Sequence, residues 1–376
     1  MKRALQDQIA QDLKKKAVFI SGPRQSGKTT LARMLTSEHD YLNFDHPEHR
    51  ISMQERSWDR SKSLVVLDEL HKMDGWKAWL KGILDAEERP PSFLVTGSAR
   101  LDDARKTGDS LAGRYFHYRL HPFDVREVAE FTDPQEALER ILRVGGFPEP
   151  FLENNVHLYN RWRRTHLDVI LRQDLIDLTS ITDIRSIETL IELLRNRVGS
   201  PVSHASLARD LQRDPKTVRR WCGLLEHLYI IFSVTPWHRN IARAILKEPK
   251  YYFFDTGQVA SGEGHRLENL VACSLLKEVH RLEDTGIAAR ASLHYIRNKE
   301  GREIDFAVAR DAALTHLIEV KLAETSLSPN FAYFKTSQDI RCIQLLKTTP
   351  REKTFPGGEE IREAAGFLSR LDLSRR

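Results

Sequence analysis

VFISGPRQSGKTTLARML, Val18 to Leu35, sets an apolar run, a loop of the form GxxxxGKT and an amphipathic run side by side. That order reads as strand, turn and helix. The loop comprises Gly22, Pro23, Arg24, Gln25, Ser26, Gly27, Lys28, Thr29 and Thr30. Its two glycines allow backbone conformations closed to other residues, so that successive N–H groups turn toward one anion while Lys28 reaches its terminal phosphates. Thr29 is then the ligand for Mg²⁺. The stretch therefore points to a bound nucleoside triphosphate, and to an α/β fold around it.

Four more strand-like runs follow: YLNF (41–44), LVVLDE (64–69), SFLVT (92–96) and YFHYRL (115–120), separated mostly by helix-length segments. Such alternation implies an α/β sheet. LVVLDE is wholly apolar until it ends in two acids, the Walker B form. Asp68 is expected to orient the Mg²⁺ shell and Glu69 to activate the attacking water, which makes the chain a candidate hydrolase. SFLVT ends in Thr96-Gly97-Ser98, and in P-loop ATPases of the additional-strand type this strand lies between the two Walker strands. A polar tip there senses the γ-phosphate, so Ser98 or Thr96 is the candidate sensor, against an ordinary turn at a strand end. Arg114, in LAGRYF, reads as an arginine finger to a neighbouring subunit, as an internal sensor, or as one half of a surface salt bridge.

Residues 123–195, within a segment 123–198, are helix-patterned and contain GGFPEP (145–150), whose glycines and prolines must break a helix. They are expected to form a helical lid or linker after a P-loop core at 1–122. From Ser203 the chain reads as a short helix, a turn, and a second helix with Asp214 as N-cap and Pro215 at its first position. This is a helix-turn-helix signature. Val218, Trp221, Cys222, Leu225 and Leu228 form its apolar stripe, leaving Lys216, Arg219 and Arg220 together outside, where DNA phosphates are the expected contact. YIIFSV after it suits a winged helix over 199–248, a module that also docks proteins.

From YYFFD the pattern restarts, giving a second α/β domain at 249–376: a helix with Glu268, then the strands LHYIR, EIDFAVA and HLIEVK. The last two are expected to pair as a hairpin around Arg310 to Leu314, bringing Asp305, Glu319 and Lys321 to one end of a sheet. Period-two alternation puts Glu319 and Lys321 on one face. Two carboxylates suit a divalent metal, Mg²⁺ or Mn²⁺, and the lysine suits activation of water against a phosphodiester; Glu268 would complete the shell. The competing reading is an exposed hairpin without chemistry.

At 376 residues, with 40% apolar and 30% charged residues, the chain has the composition of a multidomain globular protein rather than a disordered one. It has no run of eighteen apolar residues, and Leu5, Ile9 and Leu13 lie at helical spacing without a signal-peptide core, so a cytoplasmic protein with no membrane partner is expected. Cys222, Cys273 and Cys342 are far apart and lack a CxxC pair, which argues for reduced core thiols. The net charge of +5 is matched by residues 203–250, which hold nine Lys/Arg against four Asp/Glu. That basic island is a candidate nucleic-acid footprint or merely solvated surface.

GPRQSGKTT, LVVLDEL, VTGSAR, LAGR, GGFPEP, YYFFDTG, LENLV and EIDF…IEVK occur in that order. With them, the chain resembles a prokaryotic family of AAA-like P-loop ATPases that end in a domain of unknown function with a restriction-endonuclease-like fold. The resemblance implies ATP rather than GTP, with Lys28, Thr29, Asp68 and Glu69 at the nucleotide. It also implies Glu268, Asp305, Glu319 and Lys321 as a potential metal site. His71 departs from the glutamine common after the Walker B acids in that family. The expectation is thus an Mg²⁺-dependent ATPase acting on DNA, homo-oligomeric if Arg114 works in trans. The alternative is an ATP-dependent switch binding DNA or a protein through a catalytically inactive nuclease-like domain.

Overall fold

The computed structural model describes residues 2–86, 91–97, 111–174, 183–237, 248–324 and 326–374. The chain divides into two compact units, Met1–Pro122 and Phe123–Arg376. Among the described residues, no helix is long and apolar enough to cross a membrane.

In the first unit, β1 (Ala17–Ser21), β2 (His39–Asn43), β3 (Leu64–Asp68), β4 (Ser92–Thr96) and β5 (Tyr115–Arg119) form one parallel sheet in the order β2-β3-β4-β1-β5. β4 lies between the strand that feeds the phosphate loop and the strand that ends in Asp68. β1 and β3 are buried at every position, which is why they read as unbroken apolar runs. Their side chains still sort by alternation. Phe19, Val65 and Leu67 face a core shared with Met53 of α3 (Pro47–Glu55) and Trp76, Leu80 and Ile83 of α4 (Trp76–Ala86). Val18, Ile20, Leu64 and Val66 face a second core shared with Ile9 of α1 (Gln6–Asp12) and Leu31 of α2 (Lys28–Met34). The helically spaced Leu5, Ile9 and Leu13 all enter this second core.

The second unit contains one eight-stranded sheet, built from β6 (Ile231–Pro236), β7 (Lys250–Phe253), β8 (Ala291–Arg297), β9 (Glu303–Arg310), β10 (Ala313–Lys321), β11 (Arg341–Leu346), β12 (Lys353–Thr354) and β13 (Glu360–Glu363). The order is β12-β13-β11-β10-β9-β8-β6-β7. β8, β9 and β10 pair antiparallel, while β10 pairs parallel with β11. The β9–β10 hairpin turns on Asp311 and Ala312, both at positive φ (50° and 67°), as a two-residue turn requires. β7, which overlaps the YYFFD segment read from sequence as opening a new domain, pairs antiparallel with β6, so the sheet runs across the expected 248/249 boundary. Residues 123–198 likewise belong to this second unit.

Two helices precede β6, His204–Leu211 and Pro215–His227. GGFPEP breaks the chain between the helices Pro134–Val144 and Pro148–Glu153, with Gly145 at the C-cap of the first. Its φ of 73° and ψ of 177° belong to a region almost closed to residues with a Cβ.

Candidate nucleotide site and C-terminal acidic cluster

The loop after β1 is set by two close approaches. Gly22 has φ 143°, and a Cβ there would stand 2.3 Å from the Leu120 carbonyl oxygen. Gly27 has φ 94° and caps α2. Between them Gln25 is also left-handed (φ 60°), so the loop reverses tightly before Lys28. The buried Arg3 holds the loop from outside, donating to the Ser26 carbonyl at 2.8 Å and the His121 carbonyl at 2.5 Å. Nothing in the sequence marked Arg3, because a basic residue near the N-terminus, next to Lys2, reads as solvated.

Lys28 is 8% exposed, and its Nζ donates to the carbonyls of Gly22 (2.9 Å) and Pro23 (2.6 Å). Its ammonium is thus folded onto its own loop. The Ser26 hydroxyl is buried without a hydrogen-bond partner among the described residues. Thr29 Oγ1 donates to Asp68 Oδ2 at 3.0 Å, and Thr96 Oγ1 to Asp68 Oδ1 at 2.5 Å. Tyr41 OH also reaches Asp68 Oδ2 at 2.5 Å, and burial together with Asp68 pushes its hydroxyl up to about 12. Tyr41 is missed from sequence because only the strand order puts β2 beside β3. Of the pair weighed as sensor, Thr96 touches Asp68, whereas Ser98 lies outside the described residues.

Glu69 follows directly, in the left-handed region (φ 56°), with its N–H donating to the Thr96 carbonyl and to Asp68 Oδ1. Burial raises its carboxyl above the ordinary glutamate range, opposed by Lys72, whose Nζ lies 3.3 Å from Oε2. His71, which stands in place of glutamine, puts Nε2 3.6 Å from the same oxygen. The site therefore gathers a folded-back ammonium, three hydroxyls on one aspartate, and a buried carboxyl with a raised proton affinity. These residues fit a triphosphate with Mg²⁺: Lys28 for the phosphates, Thr29 and Asp68 for the ion. Arg24, within the loop, is half-buried, and Thr30, at its end, is exposed.

Arg114 requires a correction as an internal sensor. It immediately precedes β5, and its carbonyl accepts from Ala17, the first residue of β1. The phosphate loop leaves the other end of β1, roughly 13 Å away by strand rise. There Arg114 makes a two-pronged pair with Asp85, at 2.6 and 3.1 Å.

In the second unit, Glu268 stands on the helix Glu263–Asp284 and accepts from Tyr252 OH at 2.7 Å. Asp305 Oδ2 accepts from the Val320 N–H at 2.8 Å. Burial, then Glu268, hold the Asp305 carboxyl well above the usual range, and burial pushes Glu319 up to about 7. Glu319 Oε2 is buried without a hydrogen-bond partner among the described residues. The cation among these acids is one the sequence reading did not single out. Lys250, fully buried on β7, puts Nζ 2.6 Å from Glu303 Oε1, 3.5 Å from Glu268 Oε1 and 3.9 Å from Asp305 Oδ1. Of the acids expected to form a metal shell, Glu268 and Asp305 thus lie within 4 Å of the Lys250 ammonium. Among the described residues, no three His, Cys, Asp or Glu side chains are arranged to hold a metal ion.

Lys216, Arg219 and Arg220 are exposed on the helix Pro215–His227, opposite buried Val218, Trp221, Cys222 and Leu225. None of the three forms an ion pair among the described residues. Asp214 caps the helix, accepting from the Lys216 N–H at 2.8 Å.

The GGFPEP and DTG segments meet in the core of the same unit. A Cβ on Gly145 would lie 2.0 Å from Asp255 Oδ1, and one on Gly257 2.1 Å from the Tyr159 hydroxyl, which itself donates to Asp255 at 2.9 Å. Burial pushes Asp255 up to about 6. Both segments are therefore contacts of one packed node.

Residues 14–129 match the family model described as an AAA domain. Over that match the N-terminal unit is similar to an AAA domain. Two further family models match beyond it, both domains of unknown function: DUF8612 at residues 135–265 and DUF4143 at residues 263–364. An uncharacterized protein of Mycobacterium tuberculosis is 26% identical over 92% of this chain and 78% of its own length. One of Methanocaldococcus jannaschii is 23% identical over 87% and 80%. Among solved structures, Thermotoga maritima RuvB is 17% identical over 60% of this chain and 86% of that chain, at a TM-score of 0.32. The P-loop strand, the Asp68 strand and the strand between them all fall inside the AAA-domain match.

Proposed function

We propose that the AAA-like unit binds ATP with Mg²⁺ and hydrolyses it, and that the second unit engages DNA through Lys216, Arg219 and Arg220. The observation that carries the first part is the meeting of Thr29 and Thr96 on Asp68, beside the buried Glu69. Mg²⁺ supplies charge neutralisation at the phosphate oxygens when bound. Thr29 would hold it through Oγ1, and Asp68 would orient its water. Lys28 would leave the Gly22 and Pro23 carbonyls for the terminal phosphates. Glu69 would take the proton of the attacking water, a role for which a carboxyl raised by burial is better matched than an ordinary one.

For DNA, three exposed cations on one helix face, without ion-pair partners among the described residues, favour phosphate contact over a solvated surface. The order of a Glu268 helix, β8, β9, β10 and β11 supports reading the C-terminal strands as restriction-endonuclease-like, a fold that by itself fixes no activity. The test is turnover. Glu69→Gln should leave nucleotide affinity unchanged and lower Mg²⁺-dependent ATP hydrolysis by about a hundredfold or more. Unchanged hydrolysis in that variant would remove Glu69 from the reaction.

A further inference from the structure

We propose that the resident cation of the C-terminal acidic cluster is the ammonium of Lys250, which stands where a divalent metal would sit and keeps Glu268, Glu303 and Asp305 metal-free. The placement is specific to that one atom. Nζ lies 2.6, 3.5 and 3.9 Å from an oxygen of Glu303, Glu268 and Asp305, and its side chain is 1% exposed. A buried ammonium is tolerated only where carboxylates surround it, and removal of one partner leaves the other charge stranded.

Each of the three acids also has a second partner. Tyr252 OH occupies Glu268, the Val320 N–H occupies Asp305, and Arg297 lies 3.5 Å from the second oxygen of Glu303. The Tyr295 ring lies 5.3 Å from Nζ, a contact that suits an organic cation rather than a hydrated metal. The backbone fixes the lysine as well. Lys250 pairs with Val234 of β6 and forms an isolated bridge with Pro201, so its strand is held from both sides. A divalent ion takes oxygens at about 2.0 to 2.6 Å. To gather these three it would need the volume that Nζ fills, at a distance where the two cations repel. The cluster is thus an ammonium-centred core joining β7, β9 and the helix Glu263–Asp284, and the metal-assisted phosphodiester cleavage expected from Asp305 and Glu319 is not its chemistry.

The experiment is Mn²⁺ uptake by the full-length, nucleotide-free protein, followed through the loss of the free-ion magnetic resonance signal. Any binding at the phosphate loop is common to all variants and cancels in their comparison. Wild type and Asp305→Asn should take up Mn²⁺ identically. Lys250→Met should gain a site about tenfold tighter or more, lost again in Lys250→Met/Asp305→Asn, with an unfolding midpoint that rises on adding Mn²⁺. A wild-type site that Asp305→Asn abolishes would overturn the proposal, as would folded Lys250→Met with unchanged uptake. Should Lys250→Met fail to fold, the comparison of wild type with Asp305→Asn decides alone.

Discussion

Gly145 and Lys250 show two ways in which a single residue matters without belonging to a catalytic motif. Gly145 combines a backbone region almost closed to other residues with a Cβ position 2.0 Å from Asp255. Gly145→Ala should therefore destabilise the C-terminal unit by roughly 2 kcal/mol or more, read as a lower denaturant midpoint at unchanged slope. A loss below about 0.5 kcal/mol would mean that the node relaxes around a methyl group. The glycine was legible as a helix breaker, but the carboxylate it touches lies 110 positions later and could not be paired with it from one sequence. Lys250 was hidden for a related reason. A lysine just before a run of aromatic residues reads as a solvated strand end, and only the folded sheet brings it against Glu268, Glu303 and Asp305. Lys28, Thr29 and Asp68 were readable because the chemistry of phosphate binding fixes both residue type and spacing. Arg114 shows the limit of that logic: its type suits a γ-phosphate sensor, whereas its strand end puts it beside Asp85.

Secondary structure was read most securely where an element carries its own signals. The helix Pro215–His227 has a capping aspartate, a proline in its first turn and an apolar stripe at helical spacing, and all three appear in the folded chain. Its outer face carries the DNA reading. Arg219→Ala should weaken binding to duplex DNA similarly for all sequences and reduce the slope of log affinity against log salt by about 1. An unchanged slope, measured by titration at several salt concentrations, would assign this face to another partner. The strand β7 was equally clear as a strand, but its pairing was not. A run of four buried residues fits a domain opening or the second strand of a hairpin equally well, and period-two reasoning contains no information about the neighbour. Its pairing with β6 decides between them.

The two units of the chain were legible to different depths. In the first, the sheet order β2-β3-β4-β1-β5 puts the polar end of β4 between the phosphate loop and Asp68, so one aspartate collects Thr29, Thr96 and Tyr41. Apolar strands buried on both faces, separated by helices, leave few other arrangements, and the Walker spacing selects among them. In the second unit the strands are mixed in direction and joined by segments of uneven length. There the sequence supplied elements and a candidate set of acids, while the cation buried among them came from the fold.

The central claim is that the loop from Gly22 to Thr30 is a working nucleotide site, and calorimetric titration of Mg²⁺–ATP into wild type and Lys28→Ala tests it most directly. Wild type should bind one ATP per chain, and Lys28→Ala, with its fold intact by circular dichroism, should lose that binding. Equal affinity in the two proteins would contradict the account.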